Sequence, residues 1–275
     1  MNISSDKKKR YGKIIAAALP VIIITFILRL PFYYTVLFYF AVFLVSVVIY
    51  FSNYLAVWAN FNYARGNEER ARRLFVTAIR RKTTSPAAHL NYAILLMRDG
   101  DAEAALELLD KALTLKPKVI AEKNIRLAMG SCRWVMKDID GAVGVLEDMR
   151  TRYEYVNSHV LTTLGYMYYL KNETEKALEL TESAIQDSPE YAAAWDNLGQ
   201  IRLSLGEAAA AKEAFDKAVS FKPDLADSNY YLGLIAEAEN DAEAAAEYFK
   251  KTSECKVTAL NTVTAEQIAE KLGGR

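Results

Sequence analysis

A pattern that recurs every 34 residues constrains the fold of this chain more than any other feature. In one copy, a segment of helical composition carries Leu198-Gly199, Ala211, Phe215 and Pro223. Neighbouring copies place Leu164-Gly165, Ala177, Ala184 and Pro189 one period upstream, and Leu232-Gly233, Ala245 and Phe249 one period downstream. Two amphipathic helices repeated at this period predict an α-solenoid, because a single pair of helices cannot bury its apolar faces alone.

Weaker copies extend the array toward the N-terminus. Units that begin near Ser52 and Pro86 keep the small residues of the pattern, whereas a looser unit near Lys123 breaks the strict spacing. The sequence therefore predicts a solenoid of about six repeats over residues 52–257, with units beginning near residues 52, 86, 123, 158, 192 and 226.

Small residues and helix breakers stand where such a helical pair requires them. Gly199 and Ala211 are small where the two helices of a unit would cross, and Pro223 would end the second helix. Residues that favour a helix stop follow the first helix of four units: Gly66, Gly100, Asn172 and Gly206.

The recurring residues resemble the tetratricopeptide repeat family. The resemblance rests on Trp195, Leu198, Gly199, Ala211, Phe215, Ala218 and Pro223, and it covers residues 52–257. It implies an all-α, right-handed solenoid in which the first helix of each unit lines a concave groove that binds peptide segments of other proteins. The groove candidates taken from this resemblance are Tyr63, Ile94, Met97, Trp134, Tyr166, Tyr169, Gln200 and Leu203.

Two apolar segments precede the repeats, at residues 13–30 and 32–51. Their only charged residues are Lys13 and Arg29, and about 20 apolar residues suffice to span a bilayer. Since Leu30-Pro31 favours a turn between the segments, we expect an N-terminal transmembrane helical hairpin over residues 14–51. A cleaved signal peptide, or a shallow hairpin that does not cross the membrane, is the alternative for the first segment.

Basic residues flank this hairpin on both sides. Residues 1–13 contain five basic residues against one acidic residue, and residues 65–82 contain seven against two. The positive-inside rule then predicts an integral protein of the cell membrane whose N-terminus and repeats face the cytoplasm. No helix breaker separates Phe32 from Arg65, so we expect the second apolar helix to run directly into the first repeat.

A short helix is predicted beyond the repeats, within residues 258–275. Thr264 and Gln267 have the spacing of a capping box, and Gly273-Gly274 would end the helix. This helix would cover the last repeat, because the ends of a solenoid need polar caps.

The residues that usually carry chemistry form no motif in this chain. His89 and His159 lack partners at ligand spacing, Cys132 and Cys255 show no paired spacing, and no phosphate-binding loop occurs. Residues 83–275 carry a net charge of −10, which argues against nucleic acid as a partner. We therefore expect no enzyme activity, no cofactor and no metal.

These features favour a membrane-anchored scaffold that docks a partner protein or peptide in the concave groove. A second hypothesis is an accessory subunit of a larger membrane machine, such as one for secretion, pilus or envelope biogenesis. An enzyme with an unrecognised site is a third hypothesis, from another class of function. The sequence leaves the identity of the partner and the oligomeric state open.

Overall fold

Thirteen helices and no strand make up the residues that a computed structural model of the protein describes, which are 31–153 and 156–273. The helices are α1 (Phe32–Ala64), α2 (Glu68–Arg80), α3 (Pro86–Arg98), α4 (Ala102–Thr114), α5 (Val119–Val135), α6 (Ile139–Arg152), α7 (Ser158–Leu170), α8 (Thr174–Asp187), α9 (Ala192–Ser204), α10 (Ala208–Phe221), α11 (Ala226–Ala238), α12 (Ala242–Glu254) and α13 (Ala265–Lys271). The all-α class is confirmed for these residues, whereas the first predicted membrane helix and the basic N-terminus lie outside them.

Helices α1 to α12 pack as six consecutive pairs in two layers. The first helix of each pair packs on the second, and each first helix also contacts the first helix of the next pair. Helices that approach one another from unit to unit lie on the inside of a curved stack, so the first helices line the concave face. The second helices form the outer face.

The helix boundaries follow the repeat, with one exception. Four units begin at the predicted residues, with α3 at Pro86, α7 at Ser158, α9 at Ala192 and α11 at Ala226. Helix α5 begins at Val119 instead of Lys123 and has 17 residues, against 13 in α3, α7, α9 and α11. The additional turn forms because no helix breaker stands between Pro117 and Lys123, so the helix begins soon after the proline.

Each pair turns at a residue in the left-handed region. Gly66, Gly100 and Gly206 have positive φ angles, as predicted for the ends of their helices, and Asn172 has a φ of 60°. In the two remaining units the equivalent residues are Lys137 and Asn240, whose φ angles are 65° and 62°. Lysine is disfavoured in this region because its Cβ crowds the backbone, so the third unit is strained at this turn.

Glycines allow the two helices of a unit to approach closely. A Cβ on Gly199 would lie 2.6 Å from the ring of Phe215, and a Cβ on Gly233 would lie 2.6 Å from the ring of Phe249. Phe215 is fully buried and stacks on Tyr231 of the next unit at 5.3 Å between ring centroids. The same phenylalanine therefore holds one pair together and joins it to its neighbour.

Helix α1 has two parts with different surroundings. Its large apolar side chains are exposed along residues 33–51, whereas Ala56 and Ala59 are fully buried against α2 and α3 in the first repeat. The continuous helix agrees with the expectation that the second apolar segment runs into the first repeat. Among the described residues, α1 is the one helix long and apolar enough to cross a membrane.

The predicted terminal helix is α13. The Thr264 hydroxyl accepts a hydrogen bond from the Gln267 amide, and the Gln267 side chain accepts one from the Thr264 amide, so the capping box is confirmed. Ile268 is buried in a cluster with Phe249 and Tyr230. The helix thereby covers the last pair, α11 and α12.

Candidate peptide-binding groove

The floor of the groove is formed by the first helices, and polar side chains link them. The Asn91 amide donates to the Asn60 side-chain oxygen at 2.8 Å, which joins α3 to α1. The Asn197 amide donates to the Thr162 carbonyl at 2.9 Å, which joins α9 to α7. These bonds fix the spacing of neighbouring first helices, and therefore the curvature of the groove.

The central part of the groove contains a cavity of about 430 Å³. Trp134 of α5 and Tyr166 of α7 form one aromatic wall, with ring centroids 5.6 Å apart in an edge-to-face arrangement. Tyr169 extends this wall, since its ring centroid lies 5.7 Å from that of Tyr166. Aromatic walls with polar groups between them are typical of grooves that bind peptide segments.

Polar groups of α7, α9 and α11 line the bottom of the cavity. Asp196 is buried and accepts hydrogen bonds from Gln200 and from Ser228 of the next unit. Burial, reinforced by the neighbouring carboxyl of Asp227, raises the pKa of Asp196 to about 7. The Thr162 hydroxyl is buried at the same cavity without a hydrogen-bond partner within the protein. This part of the groove therefore offers both a donor and acceptors.

The predicted groove residues fall into two groups. Trp134, Tyr166 and Gln200 line the cavity, and Tyr169 adjoins it through Tyr166. The other four contribute to apolar clusters between helices, namely Tyr63 beside Phe75, Ile94 and Met97 among α3, α4 and α5, and Leu203 beside Phe215.

Met97 is the most buried of the four, with 4% of its surface exposed, and its sulfur lies 3.5 Å from that of Cys132. The structure thus brings Trp134, Tyr166, Tyr169 and Gln200 together, while Leu203 and the predicted residues of α1 and α3 pack in apolar clusters between helices. The position of a residue within the repeat predicts whether it faces inward. It does not predict whether an inward side chain reaches the groove surface or packs between neighbouring first helices.

A loop of residues 255–263, between α12 and α13, forms another wall of the cavity. We call it the C-terminal loop. Thr258, Leu260, Asn261 and Thr262 of this loop face the cavity that Trp134 lines. These residues carry no signal in the sequence, because the segment has neither the repeat pattern nor a motif and is indistinguishable from an ordinary surface connection. The loop lies beside the cavity only because the folded array brings the last repeat close to the first ones.

The side chains that often bind metals or act as nucleophiles are separated or buried in the described residues. No group of His, Cys, Asp and Glu side chains among them could hold a metal ion. Burial raises the pKa of the Cys132 thiol to about 12, so this side chain is protonated and packs as an apolar group. His89 is buried, and its Nδ1 lies 2.9 Å from the carbonyl of Ser85, the residue that caps the start of α3.

Comparison with known proteins identifies the repeats. Models of the tetratricopeptide repeat match residues 62–122 and 192–225. The chain contains tetratricopeptide repeats. Its relatives include the BBSome complex member BBS4 of Bos taurus, which is 31% identical over 109 residues, or 39% of this chain. The chain matches only 20% of the length of BBS4.

Solved structures share the fold. A tetratricopeptide repeat protein from Parabacteroides merdae superimposes with a TM-score of 0.65 at 17% identity, over 81% of this chain and 83% of that one. The pilus biogenesis factor PilW superimposes with a TM-score of 0.59 at 18% identity, over 81% of this chain and 96% of that one. At such identities the likeness concerns the fold alone. It supports the solenoid architecture that the repeat predicts.

Proposed function

We propose that this tetratricopeptide repeat protein is a membrane-anchored scaffold that docks a segment of a partner protein in its groove. Proteins built from these repeats generally act as protein-interaction scaffolds. The observation that carries the proposal is the aromatic wall of Trp134 and Tyr166, which lines a cavity within the groove although both rings are also anchored on the core between the third and fourth repeats. Rigid aromatic side chains at a concave surface provide large contact areas with little loss of conformational entropy on binding.

The exposed part of α1 supports membrane anchoring. Residues 32–51 form 20 residues of continuous helix, which at 1.5 Å per residue extend about 30 Å, the thickness of the hydrocarbon core of a bilayer. Large apolar side chains cover all sides of this part, and its most apolar stretch is not buried within the protein. An apolar surface of this length would be costly to expose to water.

A basic turn lies where the exposed part of α1 meets the repeats. The Asn53 side-chain oxygen accepts hydrogen bonds from the Thr83 hydroxyl at 2.7 Å and the Thr84 amide at 2.9 Å, which fixes the turn after α2 beside α1. The guanidinium of Arg81 lies 5.2 Å from the centre of the Phe51 ring. Arginines held at this level would face phospholipid headgroups, and this supports a cytoplasmic location of the repeats.

Site-specific photo-crosslinking in the native membrane tests the groove. A photoreactive residue placed at Gln200 in the full-length protein should capture the partner, and Trp134→Ala together with Tyr166→Ala should abolish the captured species. Phe221→Ala is the matched control, because Phe221 is an exposed aromatic residue on the outer helix α10. If both variants capture the same species with equal yield, the groove is not the docking site.

The exposed aromatic surface of α1 favours a second candidate, an accessory subunit of a larger membrane assembly. Phe40, Phe43 and Tyr50 project from α1 and could pack against membrane helices of other subunits as well as against lipid. Native mass measurement after extraction in a mild detergent separates the candidates. A stable complex that persists after the groove substitutions would favour the subunit, whereas a single chain would exclude a stable assembly.

A further inference from the structure

The tip of the C-terminal loop connects the last repeat to the first ones. The Ala259 amide donates a hydrogen bond to the Arg98 carbonyl at the end of α3, with 3.1 Å between the two atoms. Leu260 packs against the apolar cluster of α3, α4 and α5. The Lys256 ammonium lies 2.6 Å from the Glu68 carboxylate at the start of α2, 188 residues away in the chain.

The base of the same loop is held by the last repeat. The Asp227 carboxylate at the start of α11 accepts hydrogen bonds from the Thr262 amide at 2.9 Å and the Val263 amide at 2.8 Å. The Asn261 side chain donates to it as well, at 3.1 Å. Val263 is buried next to α13, so the base of the loop is integral to the capped end of the solenoid.

The tip is held far less firmly than the base. Its contacts with the first repeats are one backbone hydrogen bond, a half-buried leucine and an ion pair whose lysine side chain is 66% exposed. Exposed ion pairs contribute little to stability because water and salt screen them. The tip can therefore leave α3 while Asp227 retains the base.

The tip also occupies the part of the concave face that a docked segment would use. Leu260 and Thr258 line the same cavity as Trp134 and Tyr166, so the loop forms part of the wall of the groove beside these aromatic rings. A chain lying along the first helices from α3 to α11 would have to pass through the volume of the tip. The protein thus carries a segment of its own in the groove.

We infer that the C-terminal loop is an intramolecular occupant of the groove, and that its tip must leave α3 before a partner segment can bind. The site that Leu260 vacates fits an aliphatic side chain of the partner. Glu68, which keeps Arg98 at 3.2 Å, fits a basic residue of the partner in the place of Lys256. This inference rests on the proposed function, because it assigns the occupant of the same groove.

A disulfide can lock the loop in place. A Cβ on Gly100 would lie 3.9 Å from the Cβ of Ala259, which is within the range of disulfides. Gly100→Cys with Ala259→Cys would be made in the full-length protein with Cys255→Ser, while the fully buried Cys132 stays unchanged. Because Gly100 has a φ of 90°, the cysteine is strained there, and the reduced form of the same protein provides the matched control.

Fluorescence of Trp134 reports whether the groove is covered. With Trp58→Phe and Trp195→Phe, Trp134 is the remaining indole of the protein. We expect acrylamide to quench it roughly twofold more efficiently in the reduced than in the oxidised protein, because only the reduced tip can open. Lys256→Ala should increase quenching without the strained cysteine, and Lys250→Ala, an exposed lysine of α12 outside the loop, should not. Equal quenching in all of these proteins would overturn the inference.

A synthetic peptide tests the vacated contacts. A labelled peptide with the sequence of residues 256–264, KVTALNTVT, should bind the reduced protein and bind the oxidised protein roughly tenfold more weakly, as expected when the binding-competent state is depleted. Replacing its lysine by glutamate should weaken binding to the reduced form. If the peptide does not bind, or if it binds the reduced and the oxidised protein with equal affinity, the C-terminal loop is not the occupant of the groove. The groove proposal is tested separately, and it fails if Trp134→Ala together with Tyr166→Ala leaves partner crosslinking intact.

Discussion

Adding a single methyl group at Gly199 should destabilise the solenoid, although alanine is the better helix former. The new Cβ would lie 2.6 Å from two ring carbons of Phe215 and 2.8 Å from a third. Atoms do not approach this closely, and the fully buried ring has no free volume into which it could move. The helices of the unit must therefore separate, which disturbs the stacking of Phe215 on Tyr231 of the next unit as well.

Two opposing effects set the magnitude. Replacing glycine by alanine inside a helix contributes about 1 kcal/mol, whereas overpacking a core costs about 1–3 kcal/mol. For Gly199→Ala we expect a net loss of about 1–2 kcal/mol in the free energy of unfolding, because the clash involves three ring atoms. Gly144→Ala is the matched control, since Gly144 lies within α6 and a Cβ there meets nothing within 4 Å. That substitution should stabilise by about 0.5–1 kcal/mol.

Denaturant unfolding of the full-length protein in detergent, followed by the helical circular dichroism signal, measures both variants. A double-mutant cycle with Phe215→Leu locates the effect, because a smaller side chain should remove most of the penalty of Gly199→Ala. If Gly199→Ala stabilises the protein as much as Gly144→Ala does, the close crossing of α9 and α10 is wrong. Additivity of the two substitutions would contradict the contact between these residues.

Two further predictions concern pH and the turns. Because the pKa of Asp196 is raised to about 7 from about 3.9 in the unfolded chain, the folded state binds an additional proton between these values. The free energy of unfolding should therefore fall as pH rises from 4 to 7, and Asp196→Asn should flatten the profile measured by denaturant titration at each pH. Lys137→Gly should raise the free energy of unfolding by about 0.5–1 kcal/mol, since it relieves a left-handed φ of 65°. Gly206→Ala should lower the free energy of unfolding by a similar amount, because it places a Cβ in the same region. Thermal unfolding measures both variants, and the turn geometry is wrong if both substitutions change the stability in the same direction.

The sequence was sufficient for the parts of the fold that depend on neighbouring residues. The period located the starts of α3, α7, α9 and α11, and the capping box located α13. Each of these features is determined within one unit or between adjacent units. The start of α5 was missed because the third unit lacks the regular spacing, and nothing between Pro117 and Lys123 marks a helix start.

The candidate site was predictable only in part, for a geometric reason. Trp134, Tyr166 and Gln200 line the cavity because they lie on first helices and face inward, which the repeat register predicts. Whether an inward residue reaches the groove or packs against the neighbouring helix depends on the local separation of the helices. Met97 illustrates the second case, since it faces inward and yet packs against Cys132 of the next first helix.

The C-terminal loop marks the limit of sequence-based reasoning for a solenoid of this kind. Contacts within a unit and between adjacent units can be predicted from the repeat pattern. The Lys256–Glu68 pair, by contrast, forms only because the small rotation between each unit and the next adds up and brings the two ends of the array together. The loop therefore reports on the curvature of the whole stack. Substitutions at a distant crossing, such as Gly199→Ala, should also weaken the contact of its tip with α3, and hydrogen exchange of the Ala259 amide would measure that coupling.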